Sequence, residues 1–452
     1  MNKFQSFGWE INPNLSDFKT SFPSLNKDIK TDWLIIGGGL TGLSALNQLK
    51  KQNVSDTITM VDADKIGQGS SSRNSGFLVD STLNNGATTI SSIKEYKEKY
   101  ALNLAGISEL KAIVDENRIN CDWSANGKYH AAANKSEFFK LKKFHNLLMK
   151  IGISCEEFHQ DELSNLLGTN FYKYAIKTNG GILLNPQKLC LGLVPKICKG
   201  IDVYENTKIE KFDIDQGTLA YTNEGLKIQA KKIIVAINSW MPELKIKQDF
   251  SIPLILTSSI TRPLTLKERA ALGNPKPWGV LSVKPTGATL RYTYDDRIMI
   301  RNTSEPYFEH NFNYKKCIEK HKKGLLRRFP QFPDIDIENS WSGFISVSRN
   351  GKPVFGNLDE KIFFAGAYNG GGLGLSVLFG AAMIDSALKI KNSRLNLVAS
   401  FPQANRLPPF PKIAALLRLK LDQIFGSNAV SYTHLRAHET GRNIVLRHQL
   451  EK

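Results

Sequence analysis

Residues 32–62 read DWLIIGGGLTGLSALNQLKKQNVSDTITMVD, and this stretch decides the fold. Asp32 to Ile36 is a short apolar run of strand type that runs straight into Gly37, Gly38, Gly39, Leu40, Thr41 and Gly42. Leu43, Leu46 and Leu49 then recur at helical spacing, and Thr57 to Val61 is a second strand-like run ending at Asp62. Each part has a task in holding a dinucleotide. Gly37 permits the tight turn, Gly39 lets backbone approach a pyrophosphate, and Gly42 lets the helix pack closely on the strand. The helix N-terminus offers unpaired N–H groups to phosphates, and Asp62 is placed to accept hydrogen bonds from ribose hydroxyls. The unit alone does not separate FAD from NAD.

The rest of the chain sets the frame for this unit. Its 452 residues exceed one simple core, so two intertwined domains are expected. A hydrophobic fraction of 41% and a charged fraction of 23% are ordinary for a globular protein. The net charge of +18 is compatible with nucleic acid or an anionic membrane surface. There is no arginine-rich arm or aromatic-basic repeat, and lysines are spread along the chain, so no nucleic-acid partner is expected. Cys121, Cys155, Cys190, Cys198 and Cys317 are odd in number and form no CxxC pair, which points to buried thiols in a reducing, cytoplasmic setting. The N-terminus has no apolar signal-like run. Phe363 to Ile384 is apolar enough to be mistaken for a membrane span, but Gly366 and Gly370 to Gly372 argue for a turn feeding a buried helix. No transmembrane segment is expected.

Val430 to Thr440 read VSYTHLRAHET, which back-translates into a sequence resembling a transposon-type sequencing adapter. Residues 430–452 therefore read as a translated sequencing-adapter artefact. Without their four basic and two acidic residues the net charge is +16. His434 and His438 at i, i+4 imitate a metal half-site within this tail, so no metal is expected.

Residues 67–77 read GQGSSSRNSGF and by themselves would be a surface turn with one cation. The loop resembles the G-x-G-(small)-S-G-R-N-x-G signature of the D-amino-acid-oxidase-like FAD oxidoreductases, which act on amines and amino acids. Ser72 stands where the signature has glycine. Further segments are similar to that family in the same order: Cys121 to Tyr129, Gly180 to Leu189, Val203 to Ile209, Ile233 to Asn238, Trp341 to Gly343, Arg349 to Gly356, and Phe364 to Leu373. The similarity spans roughly residues 7–425 and is nearest to the gamma-glutamylputrescine oxidase-like branch.

The resemblance implies an α/β protein. A Rossmann-like FAD-binding domain of glutathione-reductase type (1–90, 146–248, 338–428) is interleaved with an α+β substrate domain on an antiparallel sheet (91–145, 249–337). Gly37, Gly39, Leu40, Thr41, Gly42 and Asp62 are the cofactor residues of the first unit. By resemblance Ser71, Ser72, Arg73, Asn74 and Gly76 join them, with Ile209 near the adenine and Ala236, Asn238 and Gly343. Gly366, Gly370, Gly371, Gly372 and Leu373 complete the set, with a helix N-terminus aimed at the flavin ring. No Cys follows Cys317 and neither His nor Cys lies in residues 62–80, so noncovalent FAD is expected.

Helices are expected over residues 88–118 and 135–152, and strands over 253–263 and 288–302. The alternating run from Leu290 to Ile300, with Asp295-Asp296 between its halves, predicts a hairpin. The implied chemistry is hydride transfer from an amine or amino acid to flavin N5, giving an imine that water hydrolyses. Arg291, Tyr292, Arg349 and Tyr368 are the candidates for substrate contact. The electron acceptor is oxygen or another, unknown molecule. The alternative is an FAD-binding dehydrogenase or electron-transfer subunit that passes electrons to an acceptor other than oxygen.

Overall fold

A computed structural model describes Trp9 and residues 21–83, 90–213, 218–284, 286–308 and 313–425. The adapter-like tail, with His434 and His438, lies outside the described residues. The chain starts with β1 (Ile29–Ile36), α1 (Leu40–Lys51) and β2 (Ile58–Val61), the unit the glycine turn predicts. A short β3 (Phe77–Leu78) precedes α2 (Ile90–Glu116), β4 (Lys128–Ala132), α3 (Lys135–Lys150) and β5 (Cys155–His159). Next come α4 (Gln160–Leu167), β6 (Tyr174–Thr178), β7 (Ile182–Leu183), α5 (Pro186–Ile197) and β8 (Asp202–Tyr204). β9 (Ile209–Asp213), β10 (Leu219–Thr222), β11 (Lys227–Val235) and β12 (Ile252–Thr261) lead to α6 (Leu266–Ala271) and β13 (Trp278–Ser282). The predicted hairpin is β14 (Thr289–Tyr292) and β15 (Ile298–Pro306), followed by α7 (Tyr314–Arg328) and β16 (Ile337–Val347). β17 (Val354–Leu358), β18 (Ile362–Gly366), α8 (Gly372–Ala387), α9 (Ser393–Ser400) and α10 (Pro411–Phe425) complete the described chain.

One sheet runs β17-β18-β11-β1-β2-β8, with β10 on β11 and β9 on β10. Its five inner strands, from β18 to β8, are parallel. β1 is buried from Trp33 to Ile36, as a strand covered on both faces must be. The second sheet runs β16-β12-β15-β14-β13-β4-β6-β5 and is antiparallel except where β13 meets β4. This is the α/β architecture with an interleaved, largely antiparallel second sheet.

Membership of the sheets departs from the expected boundaries. β5 and β6, inside the expected FAD segment 146–248, lie in the second sheet, where β6 pairs with β4 and β5 with β6. β16, near the start of the expected segment 338–428, pairs with β12. α2, expected with the substrate domain, packs on α8. Local periodicity identifies a strand or helix but carries no information about its distant partner.

The apolar stretch 363–384 is β18, a glycine turn and α8. Fourteen of the sixteen α8 residues are buried, between α1 on one side and α2 on the other. A Cβ on Gly380 would run into the Thr41 carbonyl oxygen, so the α1–α8 crossing depends on that glycine. Ser44 donates to the Val377 carbonyl (2.6 Å) and Gln48 to Asp385 (2.8 Å), which is itself paired with Arg394. Among the described residues no helix is long and apolar enough to cross a membrane.

Candidate active site

The C-terminal ends of β1, β2, β11 and β18 converge, which in an open α/β sheet is where ligands bind. The Gly37 N–H donates to the Val61 carbonyl (2.8 Å), and the Ala236 N–H to the Ile36 carbonyl (2.8 Å). Gly37 turns with φ of +101°, and a Cβ there would lie 2.7 Å from the Ala236 oxygen. A Cβ on Gly42 would overlap the Gly37 carbonyl oxygen, so α1 starts where only glycine permits it. Gly39 supplies no side-chain cap to α1 and no acid occupies its first turn, so its positive end meets no negative charge from its own helix. The Ser71 hydroxyl accepts from the Leu40 N–H (2.9 Å) and bounds the space in front of Gly39.

Asp62 lies at the end of β2 and accepts from the Gly38 N–H (2.7 Å) and the Asp64 N–H (2.9 Å). Burial pushes its carboxyl above the usual range, while those N–H groups oppose the shift. Glu205, which was not a candidate, is buried just beyond β8 and accepts from the Ile66 N–H (3.0 Å) and the Phe22 N–H (3.4 Å). It ties the segment leading into the 67–76 loop to the sheet. Ile209 packs in the core layer that also holds Val61, Val235 and Leu244.

The 67–76 loop is held by its own polar groups. The Asn74 amide donates to the Ser71 carbonyl (2.7 Å) and its oxygen accepts from the Gly76 N–H (2.9 Å). The Ser72 hydroxyl donates to the Gly69 carbonyl (3.2 Å), and Arg73 Nε to the Gln68 carbonyl (3.0 Å). Burial lowers the Arg73 pKa from the ordinary guanidinium value. The loop is also the seam between the sheets: Trp341 Nε1 donates to the Arg73 carbonyl (3.0 Å), and a Cβ on Gly343 would sit 3.2 Å from Arg73.

The third segment follows β18. The Asn238 side-chain oxygen accepts from the Ala367 N–H (2.9 Å), placing Ala236, Asn238 and Gly366 side by side. Gly370 has φ of +86°, and a Cβ on it would meet nothing within 4 Å. α8 starts beyond Gly371 with no capping side chain and no acid in its first turn, and Leu373 is buried behind it. The Tyr368 hydroxyl lies 3.1 Å from that of Thr41, so the two glycine turns meet through this pair. Burial holds the Tyr368 phenol well above its usual pKa.

The four substrate candidates do not gather at one point. Arg291 faces the 67–76 loop: Nη1 donates to the carbonyls of Ser75 (3.2 Å), Gly76 (3.2 Å) and Leu184 (2.6 Å). Its guanidinium lies over the rings of Trp9 (5.2 Å) and Phe77 (5.8 Å). Only 2% of Arg291 is exposed, and burial brings its pKa down to about 10, so it stays charged at neutral pH. Its Nε has no acceptor, and among the described residues no carboxylate lies within ion-pair distance. Tyr292 is the next residue on the strand and points to the other face, into the cluster of Trp278 and Phe329, with its hydroxyl on Asp296 (2.6 Å). Tyr368 belongs to the dinucleotide turns. Arg349 is exposed on the β16–β17 turn, which the Asn369 side chain fastens to the start of α8 through Ser348.

Trp9 escaped the sequence reading. It is buried against Trp341 (ring centroids 5.9 Å) and donates to the Asn74 carbonyl (2.9 Å). A single tryptophan in a polar segment leaves no periodic signal.

A family model described as "DAO: FAD dependent oxidoreductase" matches residues 32–386, well over half of the chain. The chain belongs to this family of FAD-dependent oxidoreductases. It is 24% identical over 412 residues to the gamma-glutamylputrescine oxidoreductase of Escherichia coli, covering 86% of this chain and 90% of that protein. It is 23% identical over 381 residues to the probable oxidoreductase OrdL of Haemophilus influenzae, covering 81% and 85%. The fold is that of glycine oxidase from Geobacillus kaustophilus, with a TM-score of 0.69 at 19% identity over 80% of this chain and 96% of that one.

FAD is accordingly the cofactor of this oxidoreductase, and the residues present fit it. The α1 N-terminus and the open glycine turn suit a pyrophosphate, and Asp62 at the end of β2 suits a ribose. The open space at Gly370 and the uncapped start of α8 suit the electron-accepting edge of a flavin.

Proposed function

We propose that this FAD-dependent oxidoreductase oxidises a primary or secondary amine that also carries a carboxylate, such as an amino acid, at its C–N bond. The observation that carries this reading is Arg291, a buried cation facing the 67–76 loop with an unpaired Nε and, among the described residues, no carboxylate within ion-pair distance. An unpaired buried charge costs several kcal/mol, on the order of what breaking a buried ion pair costs, and an anionic substrate group offsets that cost. The printed names of the relatives, which include a gamma-glutamylputrescine oxidoreductase and a glycine oxidase, support the same class.

FAD, when bound, supplies the two-electron acceptor that takes a hydride at N5. With such an acceptor bound, the substrate would give up a hydride from its α-carbon and, to solvent, a proton from its nitrogen, and water would convert the resulting imine to a carbonyl product and an amine or ammonia. Arg291 orients the carboxylate, while Trp9, Phe77 and Trp341 supply an apolar surface beside the loop. The α8 N-terminus favours negative charge on the cofactor side. Tyr368, held neutral, fixes the two glycine turns against each other through Thr41. That no Cys follows Cys317 and neither His nor Cys lies in residues 62–80 supports noncovalent attachment of FAD.

The test is product release. The FAD-loaded protein is incubated with a panel of amino acids and carboxylate-free amines, under air or with an artificial dye acceptor. Carbonyl product, with ammonia or the released amine, is expected from at least one carboxylate-bearing amine. Turnover with dye but not air assigns a non-oxygen acceptor, and no turnover with either contradicts the reading.

A further inference from the structure

The last described helix carries a surface that the cofactor and substrate sites do not use. In α10 and just before it, Phe410, Ile413, Leu417 and Leu421 are 77%, 54%, 57% and 49% exposed. They recur every three to four residues and so form one stripe along the helix. The opposite side of α10 lies against β15, with Leu416 and Leu419 half-buried. The stripe is therefore turned away from the body of the protein.

Cations frame it. Arg418 follows Leu417 by one residue and Lys420 precedes Leu421 by one, so at about 100° per residue they fall on opposite flanks of the stripe. Both are exposed. Arg406 pairs with Asp249 (2.8 Å), and the Leu407 N–H donates to the Asp249 carbonyl (2.6 Å). These contacts bring the loop carrying the exposed Lys245 and Lys247 to the start of the helix. α7, which also lies against β15, holds seven Lys and Arg residues against a single acid, Glu319.

We propose that α10 is a peripheral docking surface for an anionic phospholipid bilayer, with its apolar stripe in the headgroup–acyl boundary and its cationic rim among the headgroups. An outward apolar stripe with flanking Lys and Arg is what such binding requires, since neither signal alone holds a protein firmly. A second copy of this chain fits less well. Two such faces would oppose like-charged rims, and a four-residue stripe offers on the order of a few hundred Å2, short of the ~1,000 Å2 that a stable interface needs. The proposal is independent of the substrate reading.

Co-sedimentation of the full, FAD-loaded chain with vesicles tests it. One set is phosphatidylcholine alone; the other contains about one-third phosphatidylglycerol. Binding to the anionic set is expected to exceed the other by about ten-fold or more and to be reversed by high salt. Leu417→Glu with Leu421→Glu, and separately Arg418→Glu with Lys420→Glu, are each expected to lower it on the order of ten-fold with FAD content unchanged. The proposal is overturned if the unsubstituted chain stays in the supernatant, or if both double variants bind as it does. Loss of a dimer in the leucine variant without any vesicle binding assigns the face to a second copy and also overturns it.

Discussion

Arg291 holds a charge at a place where the described residues offer it three carbonyl oxygens on one nitrogen and two aromatic faces, but no acid within ion-pair distance. Carbonyls and rings stabilise a guanidinium in part; a carboxylate matches its fork and its charge together. Arg291→Gln is therefore expected to raise KM for carboxylate-bearing substrates by roughly 100-fold, the worth of a charge-assisted pair of about 2–3 kcal/mol, with a smaller change in kcat. Arg291→Lys is expected to recover part of the loss. Steady-state kinetics on paired substrates with and without the carboxylate check this, and an equal effect on both kinds would reduce Arg291 to a brace for the loop. At this scale the sequence was half legible. The sequence offers Arg291 and Tyr292 side by side, yet successive residues of a strand face opposite ways, so the two cannot point to one place. Trp9, whose role comes entirely from contacts over a long stretch of chain, left no local trace.

At the scale of elements, the cofactor side depends on two helices that cross closely and begin on glycine turns. The Gly380 contact with the Thr41 carbonyl sets their separation. Because the opposing atom is backbone, Gly380→Ala is expected to destabilise the protein by about 1–3 kcal/mol and to weaken FAD retention by displacing α1. Thermal unfolding and the flavin-to-protein ratio measure both, and an unchanged ratio would detach this crossing from cofactor binding. The glycine turns and α1 were legible because glycine, apolar run and helical spacing are local signals. The placement of β5, β6 and β16 was not, because each finds its hydrogen-bond partner far along the chain. α8 looked like a membrane span for a related reason: a helix covered on several sides and a helix in lipid have the same composition.

At the scale of the whole molecule, two buried histidines make stability depend on pH. His321 lies between β12 and α7, with Nδ1 2.7 Å from the Ser259 hydroxyl, and burial with nearby Arg301 lowers its pKa from 6.5 to about 3. His130 on β4 is lowered well below 6.5 by burial and by Lys128. Both are neutral in the folded protein. Below the unfolded-state value the unfolded chain takes up protons that the folded chain refuses, so this stability is complete above 6.5 and falls as pH drops toward 3. Urea unfolding is expected to lose up to about 1.4 kcal/mol per pH unit for each histidine between roughly pH 6.5 and 5. In His321→Gln that slope is expected to be about half as steep, and an unchanged slope would remove His321 from the explanation.

The central claim is that the two glycine turns and the Arg291 side of the second sheet form one centre for FAD-dependent oxidation of a carboxylate-bearing amine. Anaerobic titration of the purified FAD-loaded protein with single amino acids and amines, followed at the flavin band near roughly 450 nm, tests it most directly. The account predicts that at least one carboxylate-bearing amine bleaches the band, that air or a dye restores it, and that Arg291→Gln shifts the required concentration upward. A protein that folds without FAD, or whose flavin band no amine bleaches, contradicts it.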